Sequence, residues 1–237
     1  MSSLHEVLHR VEGSVAGGEL PVVVFDLDST LFDTSGRNLK ILKDFAQESG
    51  DEILSAHIAD VTHDELGWSV GGPLKRRGVD DEALHRELLS FWKDRFFTDD
   101  YVVHDLAAPG AVEFTRAVHE RGALVYYLTG RHVRGMGVGT VQSLTQHGFP
   151  LWRGRTTLHL KPSFDMPDRA YKAAAIADIR SSGGPIVATF DNEPENCNVL
   201  RAAFPDGLHF RYGSVHSPDP EPLHASIHHL NDFLVDP

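Results

Sequence analysis

The sequence predicts an α/β fold, in which a parallel sheet is covered by helices on both faces and carries a small helical insertion. Two observations support this prediction. Short apolar segments rich in β-branched residues alternate with segments of helical periodicity along most of the 237 residues, as expected for a parallel sheet. Only region 34–100 breaks the alternation, because it contains two amphipathic helical patterns around a Gly-rich basic loop and no convincing strand.

Five segments predict the strands of the core, since each is apolar and too short for a helix. In chain order they are 21–28 (PVVVFDLD), 123–130 (ALVYYLTG), 156–161 (TTLHLK), 185–191 (PIVATFD) and, more weakly, 207–213 (GLHFRYG). The segments between them have helical patterns, and we also expect a short helix at the C-terminus that carries His228 and His229.

These patterns divide the chain into three parts. Residues 1–20 carry an apolar stripe at helical spacing and predict a helix packed on the core. Residues 21–33 and 101–237 form the core itself, and residues 34–100 form the helical insertion after the first strand.

The composition limits the classes of partner and compartment. There are 34 acidic and 22 basic residues, a formal net charge of -12, which argues against non-specific binding to nucleic acid. Cys197 is the single cysteine, so no internal disulfide can form and a reducing cytoplasm is the simplest location. No signal peptide is evident, and no segment approaches the roughly 18 apolar residues that span a bilayer. The sequence does not predict the oligomeric state.

Polar side chains end three of the predicted strands. Asp26 and Asp28 end the first, Thr129 ends the second, and Asp191 and Asn192 end the strand 185–191. Ligands bind at the carboxyl ends of strands in a parallel sheet. We therefore expect these residues to meet in one site.

The motifs resemble those of the haloacid dehalogenase-like superfamily. VVVFDLDSTL resembles its first motif in the DxDxT form of the phosphatases, YYLTGR the second and FDNEPEN the fourth. The resemblance covers the core from about Val22 to Pro205 and includes an insertion where this superfamily has its first, C1-type cap. It implies a Rossmann-like core and hydrolysis of phosphoric monoesters.

The resemblance also implies catalytic roles. Asp26 would be the nucleophile that forms an aspartyl-phosphate, and Asp28 would protonate the leaving oxygen and later activate water. Thr129 and the backbone N–H of Gly130 would bind phosphoryl oxygens.

A Mg²⁺ site is implied at the same strand ends, because this ion prefers hard oxygen ligands. The ligands would be the Asp26 carboxylate, the Asp28 carbonyl and Asp191, with Asn192 as a further oxygen donor. Such a cation would compensate the clustered acids.

The third motif is a lysine, for which the sequence has two candidates. Lys161 ends a strand before Pro162, whereas Lys172 opens a helix. The order LHLK, acidic loop and AYK resembles the phosphatase domain of polynucleotide kinase-phosphatases and favours Lys172. Arg131 either contacts the substrate or shapes the site through a salt bridge.

The basic loop of the insertion has two interpretations. Trp68, Lys75, Arg76 and Arg77 either form a positive aromatic lid over an anionic substrate or are a solvated charge run beside a packed tryptophan. The 15 histidines are scattered without zinc-type spacing, and Cys197 is expected to be a packed small residue.

The sequence thus supports the hypothesis of a Mg²⁺-dependent phosphatase for a small phosphate monoester, such as a phosphorylated sugar or a nucleotide. Three alternatives remain open. They are a nucleic-acid 3′-end phosphatase, transfer of the phosphoryl group to an acceptor other than water, and a low-turnover phosphate-binding protein. The net charge argues against the first and Asp28 against the last.

Overall fold

The computed structural model describes residues 3–152 and 154–235. The helices are α1 Ser3–Ala16, α2 Ser35–Ser49, α3 Glu52–Ala59, α4 Gly72–Arg76, α5 Glu82–Phe96, α6 Asp99–Val102, α7 Ala111–Glu120, α8 Val133–His147, α9 Asp168–Ser181 and α10 Pro194–Ala203. The strands are β1 Val22–Phe25, β2 Phe32–Asp33, β3 Leu106–Ala107, β4 Leu124–His132, β5 Thr156–Lys161, β6 Ile186–Asp191, β7 Leu208–Tyr212 and β8 His228–Leu230. In the described ranges, no helix has the length and apolarity needed to cross a membrane.

Six strands form one parallel sheet in the order β5-β4-β1-β6-β7-β8. This confirms the predicted α/β class with a parallel sheet. Strand β1 lies at the centre, with Val24 in register with Tyr126 on one side and Thr189 on the other. The residues that follow β1 therefore lie in the middle of the carboxyl edge, where the predicted site should be.

The prediction of a short helix at the C-terminus is wrong. His228 and His229 instead belong to the edge strand β8, where His228 pairs with Phe210 of β7 and its ring stacks on that phenyl ring at 5.2 Å. Pairing along the open sheet edge gives the backbone N–H and C=O groups of this segment hydrogen-bond partners. A helix this short is only marginally stable by itself, so pairing with β7 is favoured.

The two faces of β1 bury alternate residues, as the period of two in a strand requires. Val23 and Phe25 pack in the hydrophobic cluster with α1 and α7. Val22 and Val24 pack in a second cluster with α9 and α10. Because both faces are covered, the whole of β1 is buried, which explains its unbroken apolar sequence.

The insertion has a hydrophobic cluster of its own, formed mainly by α2, α3 and α5. Asp51 and Asp81 begin α3 and α5 by accepting two backbone N–H bonds each, and Gly50 ends α2 in the left-handed conformation. The buried members of the cluster include Leu39, Leu42, Phe45, Leu54, Ile58, Leu74 and Leu88.

Two linkers join the insertion to the core and run side by side. Strands β2 and β3 pair antiparallel, with Phe32 opposite Ala107. Farther along, a Cβ on Gly36 would lie 2.1 Å from the carbonyl oxygen of His104. Only glycine permits this approach, so the linkers stay close as they enter the insertion.

Candidate active site

Asp26 lies directly after β1 and is 6% exposed. Its backbone N–H still donates to Phe190 of β6 at 2.9 Å, so the sheet fixes its main chain. One carboxylate oxygen accepts from Thr30 Oγ1 at 3.0 Å, and the other accepts from Lys172 Nζ at 2.7 Å. The side chain is therefore held in a single orientation by two independent donors.

Lys172 lies in the second turn of α9 and bridges two carboxylates. Its Nζ lies 2.7 Å from Asp26 Oδ1 and 2.6 Å from Asp191 Oδ2. The other candidate, Lys161, pairs with Asp168 at 2.6 Å instead. Since a motif lysine must balance the strand-end acids, this geometry favours Lys172 for that role.

Asp191 and Asn192 end β6 beside Asp26. Asp191 Oδ1 accepts from the N–H of Glu193 at 2.9 Å and from Asn196 at 3.2 Å. The Asn192 amide donates to the carbonyl of Val215 at 2.7 Å, which leaves its side-chain oxygen available on the Asp26 side, 3.5 Å from Thr30 Oγ1.

The donor set at these strand ends fits Mg²⁺ by its chemistry, because it consists of carboxylate, amide and carbonyl oxygens. Two buried carboxylates, Asp26 and Asp191, share one lysine. Burial raises the pKa of Asp26 to about 7, Lys172 opposes this, and Asp191 adds to it. Positive charge is therefore in deficit here. Within residues 3–152 and 154–235 no group of three His, Cys, Asp or Glu side chains is placed to hold a metal ion by itself, so the amide and the carbonyl would have to complete such a site.

Asp28 lies in a different environment, held by two arginines. Its Oδ1 accepts from Arg131 Nε at 2.9 Å, Arg131 Nη2 at 2.6 Å and Arg37 Nη2 at 2.8 Å. Burial alone would raise the pKa of Asp28, but the guanidinium groups of Arg131 and Arg37 lower it to about 2. Asp28 is thus ionised at neutral pH and remains 30% exposed.

Asp105 completes this arrangement from the second linker. It accepts from Arg37 Nε at 2.9 Å and from Arg131 Nη2 at 2.6 Å, and all three side chains are fully buried. Arg37 also lies over the ring of Phe96 at 4.3 Å. We call Asp28, Arg37, Asp105 and Arg131 the Asp28 network; it joins the first strand, both linkers and the end of β4.

Thr129 and Gly130 lie at the end of β4 beside these acids. Thr129 is buried, and its Oγ1 accepts from the N–H of Arg131 at 3.2 Å. A Cβ on Gly130 would lie 2.9 Å from Asp168 Oδ2, so glycine keeps the space in front of the strand open. Ser29, after Asp28, has a φ of 59°, a strained conformation of the kind that collects at functional sites.

A cavity of about 520 Å³ covers the carboxyl edge of the sheet, a size that suits a small ligand. Asp26, Asp28, Gly130, Lys172 and Asn192 line it from the core. Residues of the insertion line the opposite side. Of the polar residues predicted at three strand ends, Asp26, Asp28 and Asn192 line this pocket, whereas Thr129 and Asp191 are buried and are not among its lining residues.

Comparison with known proteins finds the same architecture. No family model matches the sequence, and no curated protein matches it. Among solved structures, a Clostridium difficile protein with a proposed phosphatase activity has a TM-score of 0.55 at 12% identity, over 90% of this chain and 95% of that one. A haloacid dehalogenase-superfamily hydrolase of subfamily IA from Geobacter sulfurreducens has a TM-score of 0.53 at 11% identity, over 90% and 93%. The chain has the haloacid dehalogenase-like fold.

A third neighbour shows that the fold does not decide the reaction. Protein Tyrosine Kinase A of Mycobacterium tuberculosis has a TM-score of 0.54 at 14% identity, over 89% of this chain and 93% of its own. Chemistry must therefore be argued from the side chains of the site.

The structure also bears on the predictions for the basic loop of the insertion and for Cys197. Trp68 lines the cavity, but the basic run beside it does not, and Arg77 pairs with Glu65 at 2.5 Å. Cys197 is buried, as expected, and burial raises the pKa of its thiol. It is therefore a packed side chain rather than a nucleophile.

Sequence reasoning missed Arg37 and Asp105. Arg37 lies in the first turn of α2, where the first linker enters the insertion, and Asp105 lies in the second linker. They are 68 positions apart, and neither belongs to a motif. One signal was present, since Arg37 occupies the helical position four residues before the fully buried Ile41. A charge in an apolar register indicates a buried partner.

Proposed function

We propose that this protein is a Mg²⁺-dependent phosphatase that hydrolyses a small phosphate monoester through an aspartyl-phosphate on Asp26. The observation that carries the proposal is the position of Asp26. Its carboxylate ends the central strand, is oriented by Lys172 and Thr30, and borders a cavity of about 520 Å³. A phosphate ester in this cavity would meet a nucleophile that is already in place.

In the first step, an oxygen of Asp26 attacks phosphorus and the bond from phosphorus to the ester oxygen breaks. Lys172 stabilises the ionised form of Asp26 that this attack requires. Thr129 and the N–H of Gly130 are the groups of β4 that would donate to phosphoryl oxygens. Asp28 would supply the proton that the departing oxygen needs.

In the second step, water attacks the phosphorus of the aspartyl-phosphate, Asp28 accepts its proton, and Asp26 is released with inorganic phosphate. The ionised Asp28 of this structure suits the second step directly. It can act as the acid of the first step once the negative phosphate lies beside it, because a neighbouring negative charge raises the pKa of a carboxyl group.

Mg²⁺ bound by Asp26, Asp28, Asp191 and Asn192 would neutralise the oxygens of the phosphate. We also propose that the insertion acts as a cap, which excludes water around a substrate small enough to fit beneath it. This argues for a small ester rather than a nucleic-acid end.

Hydrolysis of p-nitrophenyl phosphate and glycerol 3-phosphate tests the proposal, each with Mg²⁺ and with EDTA. We expect Mg²⁺-dependent release of phosphate by the wild type and by Asp206→Asn, an exposed aspartate changed in the same way. We expect no release by Asp26→Asn. Acid quenching during turnover should leave a phosphorylated peptide that contains residue 26.

Two results would overturn parts of the proposal. Turnover that survives in Asp26→Asn would show that another group is the nucleophile. Absence of hydrolysis across a wider panel of monoesters, from a protein that binds Mg²⁺, would refute the phosphatase activity itself.

A further inference from the structure

The charged groups of the cavity all belong to the core, and its cations are already paired. Lys172 binds Asp26 and Asp191, and Lys161 binds Asp168. Arg131 is taken up by the Asp28 network. Under the proposed function the core holds one phosphate near Asp26, but none of its described lining residues is a cation without a carboxylate partner for another acidic group of the substrate.

The insertion lines the cavity with uncharged residues, in contrast to the charged groups of the core. None of its lining residues, all of which the structure describes, carries a charge. The basic run 75–77 lies outside the cavity, where Arg77 pairs with Glu65. The apolar lining residues of the insertion are Trp68, Val70, Leu89, Trp92, Phe96 and Phe97. Thr34, Asn38 and Ser69 are its uncharged polar lining residues, so a second phosphate would meet no charged partner among the lining residues on this side.

Aromatic rings continue from the insertion to the core. The centroids of Phe96 and Phe97 are 5.0 Å apart, and Phe97 meets Phe164 edge to face at 4.9 Å. Phe164 belongs to the core, in the loop between β5 and α9, and Lys161 Nζ lies 5.9 Å from its ring. The aromatic wall therefore begins beside the phosphate-binding groups and extends under the insertion.

Two aromatic side chains that line the cavity are left largely open to solvent. Trp68 is 58% exposed and Phe164 is 53% exposed, and both line the cavity. Leu89, also in the lining, is 46% exposed. Large exposed apolar side chains that gather at one pocket mark a ligand-binding surface.

We propose that the substrate is a phosphate monoester whose leaving group carries a flat, uncharged aromatic ring that packs against Trp68 and Phe164. This inference rests on the proposed function and narrows it. A nucleobase and a simple aryl group share the required chemistry, since both offer a planar π-face to an aromatic side chain. A sugar phosphate without such a ring would leave both side chains exposed.

Matched pairs of esters test this preference. Adenosine 5′-monophosphate is compared with ribose 5-phosphate, and 2-phenylethyl phosphate with ethyl phosphate. Each pair departs as a similar primary alkoxide, so a difference in kcat/KM reports the ring rather than the leaving oxygen. We expect a ratio of about tenfold or more in at least one pair, and the pair that shows it identifies the source of the ring.

The outcomes separate the two proposals. Hydrolysis of both members of each pair with equal kcat/KM would overturn the aromatic preference and leave the phosphatase intact. If the protein hydrolyses none of these four esters and neither p-nitrophenyl phosphate nor glycerol 3-phosphate, the proposed function is overturned, and this inference with it. A 3′-phosphorylated oligonucleotide that is hydrolysed better than all four would replace the small substrate with a nucleic-acid end.

Two tryptophan variants test the residues. Trp68→Ala should raise KM for the preferred aromatic ester about tenfold, and so lower the ratio of kcat/KM between the ester with a ring and its partner without one. Trp152→Ala is the matched control, because Trp152 is 73% exposed and lies outside the cavity. An unchanged ratio in Trp68→Ala, with urea unfolding equal to the wild type, would remove Trp68 from the proposal and contradict it.

Discussion

Asp26 and Asp28 are two residues apart, but they belong to two charge clusters that differ in their ratio of basic to acidic side chains. Asp26 shares one lysine with Asp191, and burial raises its pKa to about 7. In the Asp28 network two arginines serve two carboxylates, and they lower the pKa of Asp28 to about 2. Pairs of carboxyl groups whose environments separate their pKa values are typical of sites with divided chemical roles.

The difference follows from where the partners originate. The cluster of Asp26, Lys172 and Asp191 is built by two strand ends and one helix of the core. The Asp28 network adds Arg37 and Asp105 from the two linkers of the insertion. One cluster therefore lacks positive charge, as a binding site for a cation should, while the other holds the insertion to the core beside Asp26.

The largest effect should come from breaking the Asp28 network at Arg37. Arg37→Met leaves two carboxylates with one arginine, and loss of one partner from a buried ion pair costs about 3 to 5 kcal/mol. Urea unfolding at pH 7 measures this loss. Arg95→Met is a matched control, because Arg95 also lies over a phenyl ring but pairs with Glu48 at the surface; there we expect a change within about 1 kcal/mol. Equal losses in both variants would contradict a special contribution of the network.

Asp26→Asn should stabilise the protein at alkaline pH, whereas Arg37→Met destabilises it. A carboxyl group with a raised pKa in the folded state makes stability fall as pH rises from about 4 to about 7. The amide does not ionise, so the variant should be more stable than the wild type at pH 8 by up to about 4 kcal/mol, at 1.36 kcal/mol for each pKa unit. We measure urea unfolding in EDTA.

Repeating the unfolding measurements with Mg²⁺ tests whether the ionised Asp26 is the cause of the stability difference. The cation would compensate the ionised Asp26 of the wild type, so adding it should narrow or reverse the advantage of the variant. An advantage that stays constant from pH 4 to 8 would show that ionisation of Asp26 is not its cause.

Asp28→Asn tests the neighbouring carboxylate. The pKa of Asp28 is lower in the folded state, so its stabilising contribution is present above about pH 4 and is lost as pH falls through about 2. The substitution should cost about 2 kcal/mol at pH 7 and flatten the loss of stability between pH 4 and 2. Unfolding curves across this range that are parallel for the two proteins would contradict the assignment.

The sequence predicted the first cluster far better than the second. Each of the five predicted core segments contains a strand, because an apolar run ending in polar residues is a local pattern. The same logic brought Asp26 and Asp191 together at one sheet edge. Arg37 and Asp105 escaped it because their partnership depends on how two linkers pack, which no spacing along the chain records. The short strands β2, β3 and β8 were missed because two or three residues carry no readable period.

The smallest expected effect on stability comes from a substitution where the two linkers lie closest together. A Cβ on Gly36 would meet the backbone oxygen of His104 at 2.1 Å, and Arg37 and Asp105 are the next residues on the two linkers. Gly36→Ala should therefore push the Arg37–Asp105 pair apart and cost about 2 kcal/mol, within the usual range for overpacking. Gly13→Ala is the matched control, since Gly13 is also helical but has open space around a new Cβ.

Without a clash, alanine in a helix is favoured over glycine by about 0.5 to 1 kcal/mol. The two substitutions should thus shift the free energy of unfolding in opposite directions, although they make the same chemical change. If Gly36→Ala also stabilised the protein, the linkers would have room to separate. The Asp28 network would then tolerate movement of the insertion, and its arginines could release Asp28 when the cavity opens. If it destabilises as expected, the network and the linkers act as one rigid support, and in the proposed mechanism Asp28 would gain its proton without leaving its arginines.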